Sequence, residues 1–172
     1  MSGSASKNKG KSGERELCKI LGGTFGGNFM RVPNSGAYVG GQNSKRKEVL
    51  SEGQIILMKG DIIPPDFMPK FVLESKFYKD FPFHSLVSNA NIPVLNCWIE
   101  QCKECIDRGD FWLVCFKINR KGWFAAFSFE HYKDFALKNH SIYTDLHRDQ
   151  FIITDLNSFL VLNKEKILRL TS

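Results

Sequence analysis

The chain has 172 residues, 42% hydrophobic and 13% aromatic, which suffices for the core of one compact domain and excludes a disordered or fibrous protein. No apolar run approaches the roughly 20 residues of a membrane span, and the polar start MSGSASKNKGKSG is no secretory signal; with five cysteines, an odd number, this predicts a cytoplasmic protein with free thiols. The net charge of +6 is uneven: residues 1–50 hold nine of the 24 Lys/Arg and three of the 18 Asp/Glu, leaving the remainder neutral, so the excess marks either a polyanionic partner or a solvated tail.

In chain order, residues 1–11 are rich in Gly, Ser, Lys and Asn and predict a disordered basic tail. Ser12 is the expected N-cap of a helix over 12–21, with Glu14 and Glu16 in its first turn, Leu17, Ile20 and Leu21 on its apolar face, and Gly22-Gly23 as its stop. NFMRVP (28–33) reads as a strand, followed by a long polar loop with a basic cluster. QIILMKGDII (54–63), closed by Pro64-Pro65, and KFVLESKF (70–77) read as neighbouring strands. A loop over 78–93 leads to a helix of roughly 94–108, in which Trp98, Cys102, Cys105 and Ile106 recur on one face. FWLVCFKI (111–118) and WFAAFSF (123–129) form a predicted hairpin, before a helix near 130–139, a strand near 150–154 and a mixed tail. This order gives an α/β fold, a mixed sheet with flanking helices.

The stretch FVLESKF places two charges in an apolar strand, where desolvation is costly unless compensated. Residues i and i+2 of a strand share a face, so Glu74 and Lys76 emerge together while Ser75 turns away. Asp61, from the preceding strand, can align beside them. Two converging carboxylates suit Mg²⁺, and a lysine next to a metal can orient water and steady negative charge on a phosphate. Glu14 on the first helix is a further candidate ligand. The alternative is a plain ion pair on a solvated edge strand.

Other clusters are less informative. Cys97-x4-Cys102-x2-Cys105 has the spacing of plant-type [2Fe–2S] ligands, but Cys102 and Cys105 fall on an apolar helical stripe, so the core reading is preferred. His84, His131, His140 and His147 show no metal spacing. GGTFGG (22–27) lacks the ending of a phosphate loop and is a turn. Asp66, in PPDF, is a competing acid for Asp61 but follows two prolines.

GERE (13–16), MRVPNSGA (30–37), GDII (60–63) and LESK (73–76), in this order, resemble the PD-(D/E)XK nuclease superfamily, and within it the archaeal-type Holliday-junction resolvases and related phage enzymes, over about residues 10–118. The resemblance implies a restriction-endonuclease-like sheet, with a nuclease core over 12–129 and a C-terminal extension over 130–172 packed on it. It implies Asp61, Glu74 and the Ser75 carbonyl as metal ligands with Glu14 completing the site, Lys76 as the catalytic lysine, and Mg²⁺, replaceable by Mn²⁺, as the cofactor. It places Arg31 and Ser35 at the scissile phosphate and Gln101 in support of the site. Lys11, Lys45, Arg46 and Lys47 are the expected further DNA contacts. The implied substrate is DNA, branched as a four-way junction, cut by a homodimer in recombination or repair; a phage origin would suit the family. The departures are Gly rather than Pro before Asp61 and a long loop after Ser35. A nuclease for other DNA and a non-cleaving DNA-binding module remain as alternatives.

Overall fold

The computed structural model describes residues 3–32 and 59–172, with side chains from Gly10 onward. Helix α1 (Gly3–Phe25) leads to the two-residue strand β1 (Met30–Arg31), which pairs antiparallel with β2 (Ile62–Ile63). Then come β3 (Phe71–Tyr78), a short helix α2 (Phe83–Val87), α3 (Pro93–Lys103), β4 (Phe111–Ile118) and β5 (Gly122–Ser128). A 3-10 turn (Phe129–Asp134), β6 (His140–Thr144), β7 (Gln150–Asp155) and α4 (Leu156–Thr171) complete the chain.

Among the described residues the main sheet has five strands in the order β3-β4-β5-β7-β6. Strands β3 and β4 run parallel, with Glu74 opposite Val114, and the other pairs are antiparallel. A parallel pair needs a long crossover, which α3 provides. The result is the mixed α/β architecture expected for a restriction-endonuclease-like fold.

Both faces of the sheet are covered, which is why β4 is apolar but for Lys117, whose ammonium pairs with Glu16 of α1 at 2.6 Å. Phe111, Leu113 and Cys115 point to the layer built with Leu17 and Leu21 of α1 and Phe159 and Leu160 of α4. Trp112, Val114, Phe116 and Ile118 point to the opposite layer, with Leu95, Trp98 and Cys102 of α3. The edge strand β3 continues the pattern: Leu73 faces α1 and α4, while Val72 belongs to the α3 side.

Several expectations change. The first helix begins at Gly3, so the segment expected to be disordered over 1–11 is helical from there and Ser12 is interior, not a cap. Once a helix is nucleated on a packed turn, each added residue costs little. The helix expected near 130–139 is a short 3-10 turn. Beyond it, the Ala136 N–H donates to Asn163 Oδ1 at 2.7 Å and Asn163 Nδ2 donates to the Ala136 carbonyl at 2.8 Å, so that peptide is committed to α4 and not to a helix of its own. The mixed tail contains α4, capped by Asp155 Oδ1 accepting from the Ser158 N–H at 2.8 Å. The edge strand β6 was not foreseen. Residues 54–58 of the strand expected over 54–63 lie outside the described residues, and Asp61 stands in a bend just before β2.

Candidate active site

The site forms at the edge of β3, where the chain before β2 meets the strand. Gly60 lies against it so closely that an added Cβ would stand 2.4 Å from the Leu73 carbonyl oxygen, and its φ of +68° is the left-handed conformation glycine adopts freely. The Asp61 N–H then donates to the Leu73 carbonyl at 2.8 Å, and Asp61 Oδ2 accepts from the Ser75 N–H at 2.9 Å. The acid is thereby fixed at both its backbone and its side chain. A glycine before the aspartate is a requirement of this close approach.

Glu74 and Lys76 share the α3 side of β3, as the strand period predicts. Lys76 Nζ donates to Glu74 Oε1 at 2.6 Å and to Gln101 Oε1 at 2.8 Å. Glu74 is 2% exposed and Asp61 8%. Burial first, and then the neighbouring charge of Asp61, push the Glu74 carboxyl up to about 8 against the opposing pull of Lys76. Burial works against the Lys76 ammonium, yet the charge and hydrogen bond of Glu74 outweigh it and hold its pKa above the ordinary lysine value.

Glu14 comes from α1 on the other side. Gly13 lets the helix approach, since a Cβ there would lie 3.2 Å from Phe77 Cβ. Glu14 Oε2 accepts from Arg31 Nε at 2.7 Å, and Arg31 pairs with Ile62 while the Val32 N–H donates to the Asp61 carbonyl at 2.9 Å. Glu14 is thus tied to the Asp61 segment through Arg31. Among the described residues no three of His, Cys, Asp and Glu converge, so Asp61 and Glu74 are the two-carboxylate set and Glu14 stands beside it. Two carboxylates brought together out of water, one of them forced toward its neutral form, are a donor set that fits a divalent cation.

Of the remaining candidates, Lys11 is exposed on α1, and Ser35, Lys45, Arg46 and Lys47 lie outside the described residues. Asp66 is exposed in the turn after Pro64-Pro65. Cys102 packs in the core with Trp98 and Ile99, and Cys105 is buried, whereas Cys97 is exposed; burial pushes the Cys102 thiol well up.

An aspartate in the bend before β2 thus stands beside Glu-x-Lys on β3. A family model described as "Phage putative PDDEXK endonuclease" matches residues 5–169. The chain belongs to the PD-(D/E)XK nuclease superfamily. Its relatives include Protein D14 of Escherichia phage T5, 33% identical over 125 residues that cover 70% of this chain and 69% of the phage protein. No solved structure matches the chain. Membership of this phage endonuclease family makes the chain a nuclease, and enzymes of the PD-(D/E)XK superfamily typically use divalent metals. Among the described residues no helix is long and apolar enough to cross a membrane.

Sequence reasoning passed over two residues beside the site. Lys59, 7% exposed, forms ion pairs with Asp107 at 2.8 Å and Asp110 at 2.7 Å and so ties the Gly60–Asp61 bend to the start of β4. Tyr78 follows Glu74 and Lys76 on the same face of β3 and is 43% exposed. The i+4 spacing from Glu74 was the available signal.

Proposed function

We propose that this nuclease is a Mg²⁺-dependent DNA endonuclease specific for branched structure, with the four-way junction as preferred substrate and Mn²⁺ able to replace Mg²⁺. The observation that carries the proposal is the pairing of buried Glu74 with Asp61, beside an ammonium held by Glu74 and Gln101. Asp61 and Glu74 would hold the metal, with the Ser75 carbonyl as a further oxygen ligand. When bound, the cation supplies charge neutralisation on the phosphodiester and makes water more acidic.

The side chains do the rest. Lys76, restrained by two acceptors, directs its remaining proton toward the attacking water or a non-bridging phosphate oxygen, and keeps a positive charge where the transition state gains a negative one. Glu14 orients the water from the α1 side. Arg31, already spanning from β1 to Glu14, can transfer a donor to the phosphate, with Ser35 as its companion. Lys11, Lys45, Arg46 and Lys47 would hold the flanking backbone through phosphate contacts. In-line attack leaves a 5′-phosphate and a 3′-hydroxyl. A four-way junction needs two coordinated cuts, which calls for two sites and hence a symmetric homodimer.

Cleavage of a labelled four-way junction and a matched linear duplex, with Mg²⁺, Mn²⁺ or EDTA, tests this in wild type and Glu74→Ala. Paired symmetric nicks on the junction alone, lost with EDTA and in the variant, are expected. Equal cutting of both substrates would remove the junction specificity. Tight binding without cutting in either metal would replace the enzyme by a binding module, although three acids beside a phosphate path serve no purpose in such a module because they repel it.

A further inference from the structure

We propose that Tyr78 is a stacking platform for an unstacked base, set at the mouth of the site and flanked by a cationic rim that takes the adjoining phosphates. The inference rests on the DNA-cleavage reading above and adds to it the element that would tell branched from linear substrate.

The strand itself makes the alignment. Glu74, Lys76 and Tyr78 lie in one file on β3, and at about 3.3 Å per residue Tyr78 stands about 13 Å beyond Glu74 along the strand. That is the distance of a nucleotide or two from a phosphate held at the acid pair. The ring is braced from behind: its centroid is 4.8 Å from that of Trp98, which is itself buried against Phe81 and Phe116. A braced aromatic ring that remains 43% exposed offers a preformed π-surface with little side-chain freedom left to lose.

Charge surrounds it. The β4–β5 turn is held beside the tyrosine by the Asn119 N–H donating to the Tyr78 carbonyl at 3.2 Å. Arg120, at a left-handed φ of +60°, and Lys121 are exposed at that turn, and Lys79 is exposed next to Tyr78. Lys121 reaches Asp80 at 3.8 Å and covers the Phe83 ring at 5.2 Å. Among the described residues Lys79 and Arg120 make no hydrogen bond or ion pair, so their charge is available to a polyanion. An aromatic ring plus backbone-directed cations is the chemistry that holds nucleotides without reading sequence. A continuous duplex keeps its bases stacked on each other and gives Tyr78 nothing to cover, whereas a branch point or an unpaired stretch exposes a base face.

Binding is measured by fluorescence anisotropy with Ca²⁺ in place of the activating metal, on a linear duplex, the same duplex carrying an unpaired trinucleotide bulge, and a four-way junction. Wild type, Tyr78→Leu and Tyr78→Phe are compared, with thermal unfolding of each as a control. Tyr78→Leu is expected to unfold cooperatively within a few degrees of the wild type yet bind the bulged duplex roughly 5- to 100-fold more weakly, with linear duplex changed less than twofold. Tyr78→Phe is expected to keep wild-type affinity for all three. Equal losses on linear and bulged DNA in Tyr78→Leu, or none, would overturn the platform, as would a wild type that does not prefer the bulge. A wild type that prefers the bulge but not the junction, with the preference lost in Tyr78→Leu, would sustain the platform and remove the junction as substrate. A protein that binds none of the three overturns both readings.

Discussion

Glu74 occupies a position where an ionised carboxylate is costly, and the cost has a measurable consequence. With its carboxyl pushed up to about 8 in the folded, metal-free protein and near its ordinary value of 4.5 when unfolded, the folded state holds a proton that the unfolded state has lost between those two values. Stability contributed by the protonated form is complete at low pH and is lost as pH rises toward 8, at up to about 1.4 kcal/mol per pH unit. In EDTA the melting temperature of the wild type should therefore fall from pH 5 to pH 8. Glu74→Gln should remove most of that slope, matching the wild type at pH 5 and exceeding it by several degrees at pH 8. A parallel fall in both proteins would show that Glu74 is not the group responsible. The same proton competes with a cation, so metal affinity measured by calorimetry should rise with pH over this window in the wild type. Lys76 is the complementary case: at saturating metal, Lys76→Met should lower the single-turnover cleavage rate by about 10²–10³, the cost of removing one preorganised charge from a transition state.

At the scale of elements, what positions the acids is the close contact of the bend before β2 with β3. Gly60→Ala introduces a Cβ 2.4 Å from the Leu73 carbonyl at a φ of +68°. The left-handed conformation alone costs roughly 1–2 kcal/mol for a residue with a Cβ, and relief of the clash must move the bend away from β3. Urea unfolding should show a loss of about 2–4 kcal/mol, and the displaced Asp61 should lower metal affinity, whereas a variant that loses stability with metal affinity intact would show that Asp61 does not depend on this contact. Strands β3, β4 and β5 were legible in the sequence because each is a largely apolar run and they pair in chain order, β3 with β4 and β4 with β5. Asp61, Glu74 and Lys76 were legible because charge is conspicuous in such runs, and Gln101 fell on the helix expected to follow them. The rest depends on partners distant in sequence. Strand β6 is short and half polar; its buried Tyr143 is accommodated by Asn96, whose Oδ1 accepts from the phenol at 2.5 Å, and by donation from the Ile92 N–H at 3.0 Å. The helix expected near 130–139 goes no further than the 3-10 turn, because Ala136 beyond it is bonded to Asn163, 27 residues on. Nothing local to either segment announces those contacts.

For the whole molecule, the question is whether residues 130–172 are an appendage or part of the structure that holds the site. Strand β7 lies between β5 and β6, pairing with β5 from Phe124 opposite Asp155 to Ser128 opposite Phe151. Helix α4 supplies Leu156, Phe159, Leu160 and Ile167 to the layer that also receives Leu17, Leu21 and Leu73, so α1 and β3, which carry Glu14, Glu74 and Lys76, share their core with the last helix. Phe127, at the centre of β5, stacks on Phe159 at 4.8 Å, and Phe135 meets Phe159 at 5.0 Å. Truncating one buried Phe to Ala costs about 3–5 kcal/mol, whereas a domain's entire stability is about 5–15 kcal/mol. Removing several such residues together with the pairing of β5 to β7 therefore exceeds what the remainder can supply. A chain ending at Phe129 should show no cooperative thermal transition and no cleavage, while Phe159→Ala in the full chain should remain folded at 25 °C with a clearly lowered melting temperature. A chain ending at Phe129 that melted cooperatively would make the last 43 residues a separable addition, and the nuclease core would then be complete without them.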